Sequence, residues 1–373
     1  MKERKILMLV RTSGLEYDDR IRKEAISLKT LGYSVSILAN YTSNKSEKGV
    51  SQYGVPYKVY SLSTRKIFPS AKLLPLKMFE FWMRVFFDTL FKSFDYVWVH
   101  EEYMALNILL KPARGKYIFD QHELPLFLAK NKKMIQLYHK IESKSHKLIV
   151  ANADRLNYMI ETGLVKNKTK YYILNNFPDK VFLDLPVNNL PEKAKNFIEN
   201  SQYILMQGGG HSTRYPLEVL SAIKKYGKYK AIIVGPVAKE FEAQIQYDFQ
   251  DIVYLAGYIK QLELNQYIDH AWSSIILYGH TGENNIYCEP NRFYQALNRG
   301  VPVIAGNNPP MKRIINETKA GVVLKTDGSL VDDIIKGITE LEENYTLFKQ
   351  KAESVKEKYI WEAQTEIINK IVK

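Results

Sequence analysis

Short apolar runs alternate with helix-period segments along most of the chain. Lys5–Val10, Ser34–Ala39, Tyr96–His100, Tyr117–Asp120 and Lys147–Ala151 read as strands buried on both faces. Between the first two, Ile21, Ala25, Leu28 and Leu31 share one face of a helix over 19–31, and Gly32 sits at its C-cap position. A second series repeats the rhythm at 203–207, 230–234, 252–255, 274–277, 301–305 and 321–324. Strands alternating with helices predict parallel, doubly wound sheets. The expectation is an α/β protein with two Rossmann-like, doubly wound domains, residues 1–180 and 195–355. A closing helix over 356–373 is expected to pack back towards the first domain. The polar stretch after Pro178, holding Pro186 and Pro191, reads as a linker. Two such domains are expected to face a central cleft, because open α/β sheets bind ligands beyond the carboxyl ends of their strands.

Composition narrows the class. With 46% hydrophobic and 25% charged positions over 373 residues, collagen, coiled-coil and disordered chains are excluded. A lone cysteine, Cys288, excludes a disulfide framework and fits a reducing compartment. The N-terminal apolar run is short for a signal peptide and no stretch suits a membrane span, so a cytoplasmic, soluble or peripheral protein is expected. The net charge of +13 is unevenly placed. Residues 1–180 hold 31 Lys and Arg against 17 Asp and Glu, and the remainder hold 22 against 23. That asymmetry implies an anionic partner for the first half. The basic residues are scattered and no recognition motif accompanies them, which argues against nucleic acid.

Three segments carry candidate chemistry. In YILMQGGGHSTRYPLEVL a strand runs into Gly208-Gly209-Gly210, and Pro216 opens a helix. Glycines permit close backbone approach, a helix N-terminus offers free N–H groups, and Arg214 adds a fixed charge: the parts of a pyrophosphate cradle. A tight strand-to-helix turn is the plain alternative. Neither a dinucleotide-type G-x-G-x-x-G nor a P-loop is present there. In NNIYCEPNRFYQALNRGVPVIA, Pro290 can open a helix that places Glu289, Asn291 and Arg292 at its anion-attracting end, with Gln295 one turn on. In YIFDQHELP a strand ends at Asp120, and His122 and Glu123 follow at its tip, where a histidine can titrate near neutrality. A carboxylate pair, Glu101-Glu102, follows the preceding strand in the same way.

Taken in order, these segments with YDDRIRKEAISLKTLGYSVSILA, ILNNFPD, VYLAGYIKQLELNQYIDHAWSSIIL and YIWEAQTEIINKIV resemble a family-4 glycosyltransferase of the GT-B architecture. The resemblance implies an acceptor-binding first domain and a second domain that binds a nucleotide diphosphate sugar. It implies that Gly208, Gly209, Gly210 and Arg214 hold the donor diphosphate, with Tyr258 near the base and Glu289 and Asn291 lining the donor site. Arg292 stands where the family has lysine, Gln295 where a ribose-binding glutamate falls, and Tyr287 where the first glutamate falls. His122 maps to the histidine near the reacting sugar, so His122, Arg214 and Arg292 are the implied catalytic set. Gly14, Asp19, Glu101 and Glu123 are expected on the acceptor side. The chain lacks a D-x-D pair, and the expected reaction transfers a hexose-type sugar with retention and without metal or other cofactor. The expected acceptor is a glycan, a lipid-linked sugar or a glycoprotein. The alternatives are a catalytically weak GT-B partner or chaperone of another transferase, raised by Gln295 and Tyr287, and a sugar-nucleotide epimerase.

Residues 72–92, KLLPLKMFEFWMRVFFDTLFK, predict a helix from Pro75 whose polar stripe is Lys77, Glu80, Arg84 and Asp88. Its wide aromatic surface reads either as core or as an interfacial face. With the positive first half it points to an anionic membrane surface met through residues 65–92, Lys72 included.

Overall fold

The computed structural model describes residues 3–69 and 73–373, so Lys72 lies outside the described residues. The chain divides into two compact units: Met1–Asn175 with Gln364–Lys373, and Asn176–Ala363. The divisions fall at 175/176 and 363/364 rather than at the expected 180, 195 and 356.

Among the described residues, the first unit holds β1 (Arg4–Thr12), β2 (Tyr33–Tyr41), β3 (Glu47–Val50), β4 (Pro56–Val59), β5 (Ser93–His100), β6 (Arg114–Gln121), β7 (Lys147–Val150) and β8 (Tyr171–Ile173). They form one sheet in the order β3-β4-β2-β1-β5-β6-β7-β8, parallel except for the β3–β4 pair. The central strands are apolar on both faces because helices cover both; Ile6 through Val10 are all within 1% of full burial. Helix α1 (Asp19–Thr30) begins with Asp18 accepting a hydrogen bond from the Ile21 N–H. Ile21, Ala25 and Leu28 are its buried apolar face, as the periodicity predicts. The C-terminal helix Thr365–Ile371 belongs to this unit, where Tyr33 donates its phenol proton to the Val372 carbonyl at 2.8 Å.

The second unit holds β9 (Tyr203–Gln207), β10 (Lys230–Val234), β11 (Val253–Gly257), β12 (Ser273–Ile276), β13 (Val303–Ala305) and β14 (Gly321–Val323), all parallel in the order β11-β10-β9-β12-β13-β14. The expected linker is instead part of this unit's core. Phe182, Leu190 and Ala194 are buried with Tyr203, Leu205 and Ile268. Arg299 holds the segment down, donating to the carbonyls of Leu183 and Leu185 at 2.8 Å each.

The helix expected from Pro75 is α3 (Leu74–Thr89), preceded by the short α2 (Ser63–Ile67). Its polar stripe is only partly open to solvent, with the Arg84 and Asp88 side chains 38% and 32% exposed. Lys77 is 2% exposed, and Glu80 accepts from the Ser63 and Thr64 N–H groups at 2.8 Å each, capping α2. Asp88 accepts from the Lys58 ammonium at 2.5 Å and from the Tyr60 hydroxyl. The stripe ties α3 to the chain before it, and the outer face left to solvent is apolar. Leu76, Phe79, Met83, Phe87 and Leu90 are all at least 36% exposed, with Phe91 at 96% just beyond the helix. No helix among the described residues is long and apolar enough to cross a membrane.

Candidate active site

In the second unit, β9 ends at Gln207 and the chain turns at Gly208, whose φ is +63°. The Gly208 N–H donates to the Val234 carbonyl at 2.6 Å, stitching the turn to β10. Nη1 of Arg292 donates to the Gln207 carbonyl at 2.7 Å, and a Cβ on Gly208 would lie 2.3 Å from that nitrogen. Glycine is therefore what lets the guanidinium rest against the backbone, besides permitting the left-handed φ. At Gly210 a Cβ would meet the Pro236 carbonyl oxygen at 2.6 Å, and at Gly209 the Met206 Cβ at 2.7 Å. The helix Pro216–Tyr226 begins six residues later, behind Tyr215 at φ 54°.

Arg214 and Arg292 converge on one ring. Their guanidinium carbons lie 3.3 and 4.7 Å from the Tyr278 centroid. With Gln207 and Gly209 they line a small recess of about 10 Å³, together with Met206, Val219, Ile275, Ile276 and Leu277. Burial pushes the Tyr278 phenol up and the two guanidinium groups pull it back, leaving it at about 12. Two fixed cations, a bent glycine backbone and a nearby helix N-terminus suit a doubly charged phosphate ligand.

The other expected donor residues are not among those that line this recess. Gln295, on the helix Asn291–Asn298, is 2% exposed, and its Oε1 accepts from Gln207 Nε2 at 2.7 Å. Its own amide N–H groups are what it can offer a ligand. Glu289 accepts from the Tyr294 hydroxyl just before that helix, and Asn291 is the helix's first residue. Tyr287 closes the short helix Glu283–Ile286. Tyr258 is 67% exposed, one residue past Gly257 at φ +69°. Asp327 was not among the expected residues. It accepts from the Tyr215 hydroxyl at 2.7 Å and the His280 N–H at 2.8 Å, fixing the residue before Pro216. Burial opposes its charge, yet these bonds and those from Ser329 hold its carboxyl at about 2. An Asp-Gly turn was its only sequence signal.

In the first unit the tips of β5 and β6 meet α1 in a buried ionic cluster. Asp120, fully buried, accepts from Arg20 Nη2 at 2.9 Å, Arg20 Nε at 3.3 Å and Trp98 Nε1 at 3.4 Å. His122 Nε2 stands 3.1 Å from the same carboxylate, and its Nδ1 stands 3.1 Å from Glu101 Oε1. Glu101 itself takes a left-handed φ of 67°, turning its side chain under the ring. Burial disfavours the imidazolium and Arg20 opposes it, but the Asp120 charge and hydrogen bond and the Glu101 charge together outweigh them, giving about 10. The expectation that His122 titrates near neutrality is corrected: it is a cation pinned between two carboxylates. His100 goes the other way, to about 3, because burial dominates and His122 and Arg20 repel its proton. Burial and the Asp120 charge drive Glu24 well above the ordinary carboxylate range.

Glu24, His100, Asp120 and His122 each offer an atom within 4.8 Å of the others, a grouping with metal-ligand types. Arg20 already occupies the cationic position, 2.9 Å from both Glu24 and Asp120. Of the expected acceptor-side residues, Glu101 alone joins this cluster. Asp19 pairs along α1 with Arg22 at 2.6 Å and Lys23 at 2.8 Å. Glu123 lies 3.8 Å from Arg155 with its side chain 60% exposed, and Gly14 is in the loop after β1, its N–H 3.4 Å from Thr12 Oγ1.

Residues 191–359 match the model of the family described as glycosyl transferases group 1. Among solved structures, sucrose-phosphate synthase from Thermosynechococcus elongatus is similar at 13% identity and a TM-score of 0.78, over 99% of this chain and 98% of that one. HepE of Anabaena, solved in complex with UDP-glucose, is similar at 12% identity and 0.72, over 98% of each chain. A UDP-GlcNAc 2-epimerase from Neisseria meningitidis, bound to UDP-GlcNAc, is similar at 15% identity and 0.64, over 99% of each. No curated protein matches the sequence.

Proposed function

We propose, on the premise that residues 191–359 are a glycosyl transferases group 1 domain in a glycosyltransferase of GT-B fold, that the chain transfers a hexose-type sugar from a nucleotide diphosphate sugar, with retention and without metal. The observation that carries the donor assignment is the convergence of Arg214 and Arg292 on Tyr278 beside the Gly208 turn. UDP complexes of the similar HepE support a uridine diphosphate sugar as the first donor to try. In the reaction the bond from the anomeric carbon to the diphosphate oxygen breaks, and the acceptor oxygen takes its place on the same face. The acceptor proton leaves with the departing phosphate oxygen. Arg214, Arg292 and backbone N–H groups stabilise the charge that grows on that diphosphate, a role fixed dipoles and cations fill without a metal ion.

His122 suits an electrostatic rather than a basic role. A general base needs an unprotonated nitrogen, and carboxylates face both nitrogens of this imidazolium. It can donate to an acceptor oxygen by exchanging Glu101 for the ligand. The outer face of α3 supports contact with an anionic membrane, hence a lipid-linked acceptor and a peripheral cytoplasmic location. Stacked Phe79, Trp82 and Phe86, with centroids 5.4 and 5.6 Å apart, form a rigid aromatic wedge on the positively charged unit.

The donor assignment is tested by calorimetric titration with UDP and UDP-glucose, with and without chelator. Arg214→Ala and Arg292→Ala should each weaken binding about 30-fold, the ~2 kcal/mol of a charge-assisted phosphate contact. Unchanged binding in both variants overturns the donor site; loss in chelator overturns the metal-independent reading. Release of a 2-epimerised sugar nucleotide without acceptor would favour the epimerase alternative.

A further inference from the structure

Arg292 sits on the helix Asn291–Asn298 and is held by the Gln207 carbonyl. Arg214 instead ends a single turn, Ser212–Arg214, and a guanidinium on so short an element is only as well placed as the turn itself. Its head rests 3.3 Å from the centroid of the Tyr278 ring, two residues beyond β12. The position of this cation therefore depends on how the turn is set against the exit of β12. Two tethers set it, one on each side of Arg214. Before it, the Thr213 carbonyl accepts from the Gly279 N–H at 2.8 Å. After it, the Tyr215 hydroxyl donates to Asp327 Oδ2 at 2.7 Å, and the same oxygen accepts from the His280 N–H at 2.8 Å. A Cβ on Gly279 would lie 2.6 Å from the Tyr215 hydroxyl oxygen, so glycine is what admits the phenol to this place.

The second tether comes from far along the chain. Asp327 is 112 positions from Tyr215, in the loop after the edge strand β14. That loop is itself fixed, with the Asn307 N–H donating to the Thr326 carbonyl at 3.0 Å and the Ser329 N–H to Asp327 Oδ1 at 3.2 Å. The Asp327 carboxyl is ionised above about 2, and burial with the Asp327 bond keeps the Tyr215 proton on up to about 12, so donor and acceptor stay matched between those limits. Tyr215 holds a φ of 54°, the left-handed region, without being glycine. Such a conformation persists only where surrounding contacts impose it. Without the carboxylate, Tyr215 is free to relax, and the turn that carries Arg214 relaxes with it. A cation that must then be ordered on binding contributes less affinity than one already in place.

We propose that Asp327 is a positioning residue of the donor site: through Tyr215 and the His280 N–H it clamps the turn before Pro216 against the exit of β12, and so holds Arg214 ready for the donor diphosphate. That a diphosphate is what Arg214 meets rests on the proposed transferase reading; the clamp on Arg214 does not.

Two measurements on the full chain test this. In the ligand-free protein, the Arg214 Nε–H signal, identified by its loss in Arg214→Ala, should be displaced by the Tyr278 ring in nitrogen-15 spectra. Asp327→Ala and Tyr215→Phe should each move it towards the position of an unstacked arginine. Calorimetric titration with UDP should then show affinity falling about fivefold to 30-fold in each variant, because a residue acting through Arg214 costs no more than the loss of Arg214 itself. Added to Arg214→Ala, neither change should weaken UDP binding by more than about twofold further, whereas a general loosening of the fold would add in full. Tyr215→Phe removes a single hydroxyl and carries the same test should Asp327→Ala fail to fold. An Arg214 signal unmoved in both variants, UDP affinity unchanged in both, or losses that add to that of Arg214→Ala would overturn the proposal. Failure of UDP to bind the unmodified chain, with the Arg214 signal moving as expected, would sink the donor reading and leave Asp327 as the residue that positions Arg214.

Discussion

The charge held on His122 makes stability fall where a free histidine would leave it flat. Moving an imidazolium from 6.5 to about 10 corresponds to about 5 kcal/mol of preference for the charged form. The folded value is the higher one, so the stabilisation is complete below pH 6.5 and is lost progressively as pH rises towards 10. Glu24 adds a slope of the same sign, since the folded chain keeps a proton that the unfolded chain releases above the ordinary carboxylate range. Asp120, held well below that range despite its burial by Arg20 and His122, acts oppositely, and its contribution is lost only in acid. Denaturant unfolding should therefore show stability declining between pH 6.5 and 9, before the tyrosines begin to ionise. The difference between the unmodified chain and His122→Gln isolates the histidine, at ~1.4 kcal/mol per pH unit in the steep part. Glu101→Gln, which removes the partner at 3.1 Å, should cost ~1–2 kcal/mol near pH 7 and lower the imidazole's titration point. Nitrogen-15 spectra of the ring read that point directly. An imidazole deprotonating near 6.5, with stability level from 6.5 to 9, would refute the cluster's arrangement.

Gly208→Ala places a methyl against the Arg292 guanidinium and strains a φ of +63°, so UDP affinity should fall tenfold or more; equal affinity would show that Arg292 is not held at the turn. Gln295→Glu separates two uses of that position. If the amide serves only to bind ribose, affinity for UDP should hold or improve, whereas a large loss would mean that the bond with Gln207 needs a neutral partner. Flotation with vesicles containing phosphatidylglycerol should recover the chain at low salt and lose it at high salt, and paired Phe79→Ser and Phe87→Ser changes should abolish recovery. Recovery indifferent to both would remove α3 from the membrane reading.

What the sequence showed of the fold follows from what parallel sheets require. Strands buried on both faces leave unbroken apolar runs, so KILMLV and YILMQ were readable, and β9 and β10 begin and end where the runs do. β3, β4 and β8, with sequences EKGV, PYKV and YYI, lie at or beside sheet edges, where one side needs no apolar residue, and they left no such trace. The turn and helices of the proposed donor recess were legible for a related reason. Glycine and proline act through backbone geometry within a few residues, so Gly208, Pro216 and Pro290 announce their turn and helices locally. The ionic cluster could not be read that way. Arg20 and Asp120 are 100 positions apart, and a lysine, a glutamate and an arginine on α1 look like a solvated face until the tips of β5 and β6 close over them.

The same limit accounts for the inversion at α3. Helical spacing places Lys77, Glu80, Arg84 and Asp88 on one side, but spacing cannot say whether that side meets water or partners. Here the partners lie in the segment just before the helix: the α2 N–H groups for Glu80, and Lys58 with Tyr60 for Asp88. Turning polar groups inward costs little when each finds a hydrogen bond, but it commits the opposite side to face outward. On a surface helix that side would ordinarily be polar, and here it is Leu76, Phe79, Met83 and Phe87. An apolar face of that length is costly in water, and the cations of α2 and the first turn of α3 lie on the same unit. The proposed membrane contact would meet both features at once, because acyl chains there adjoin phosphate headgroups.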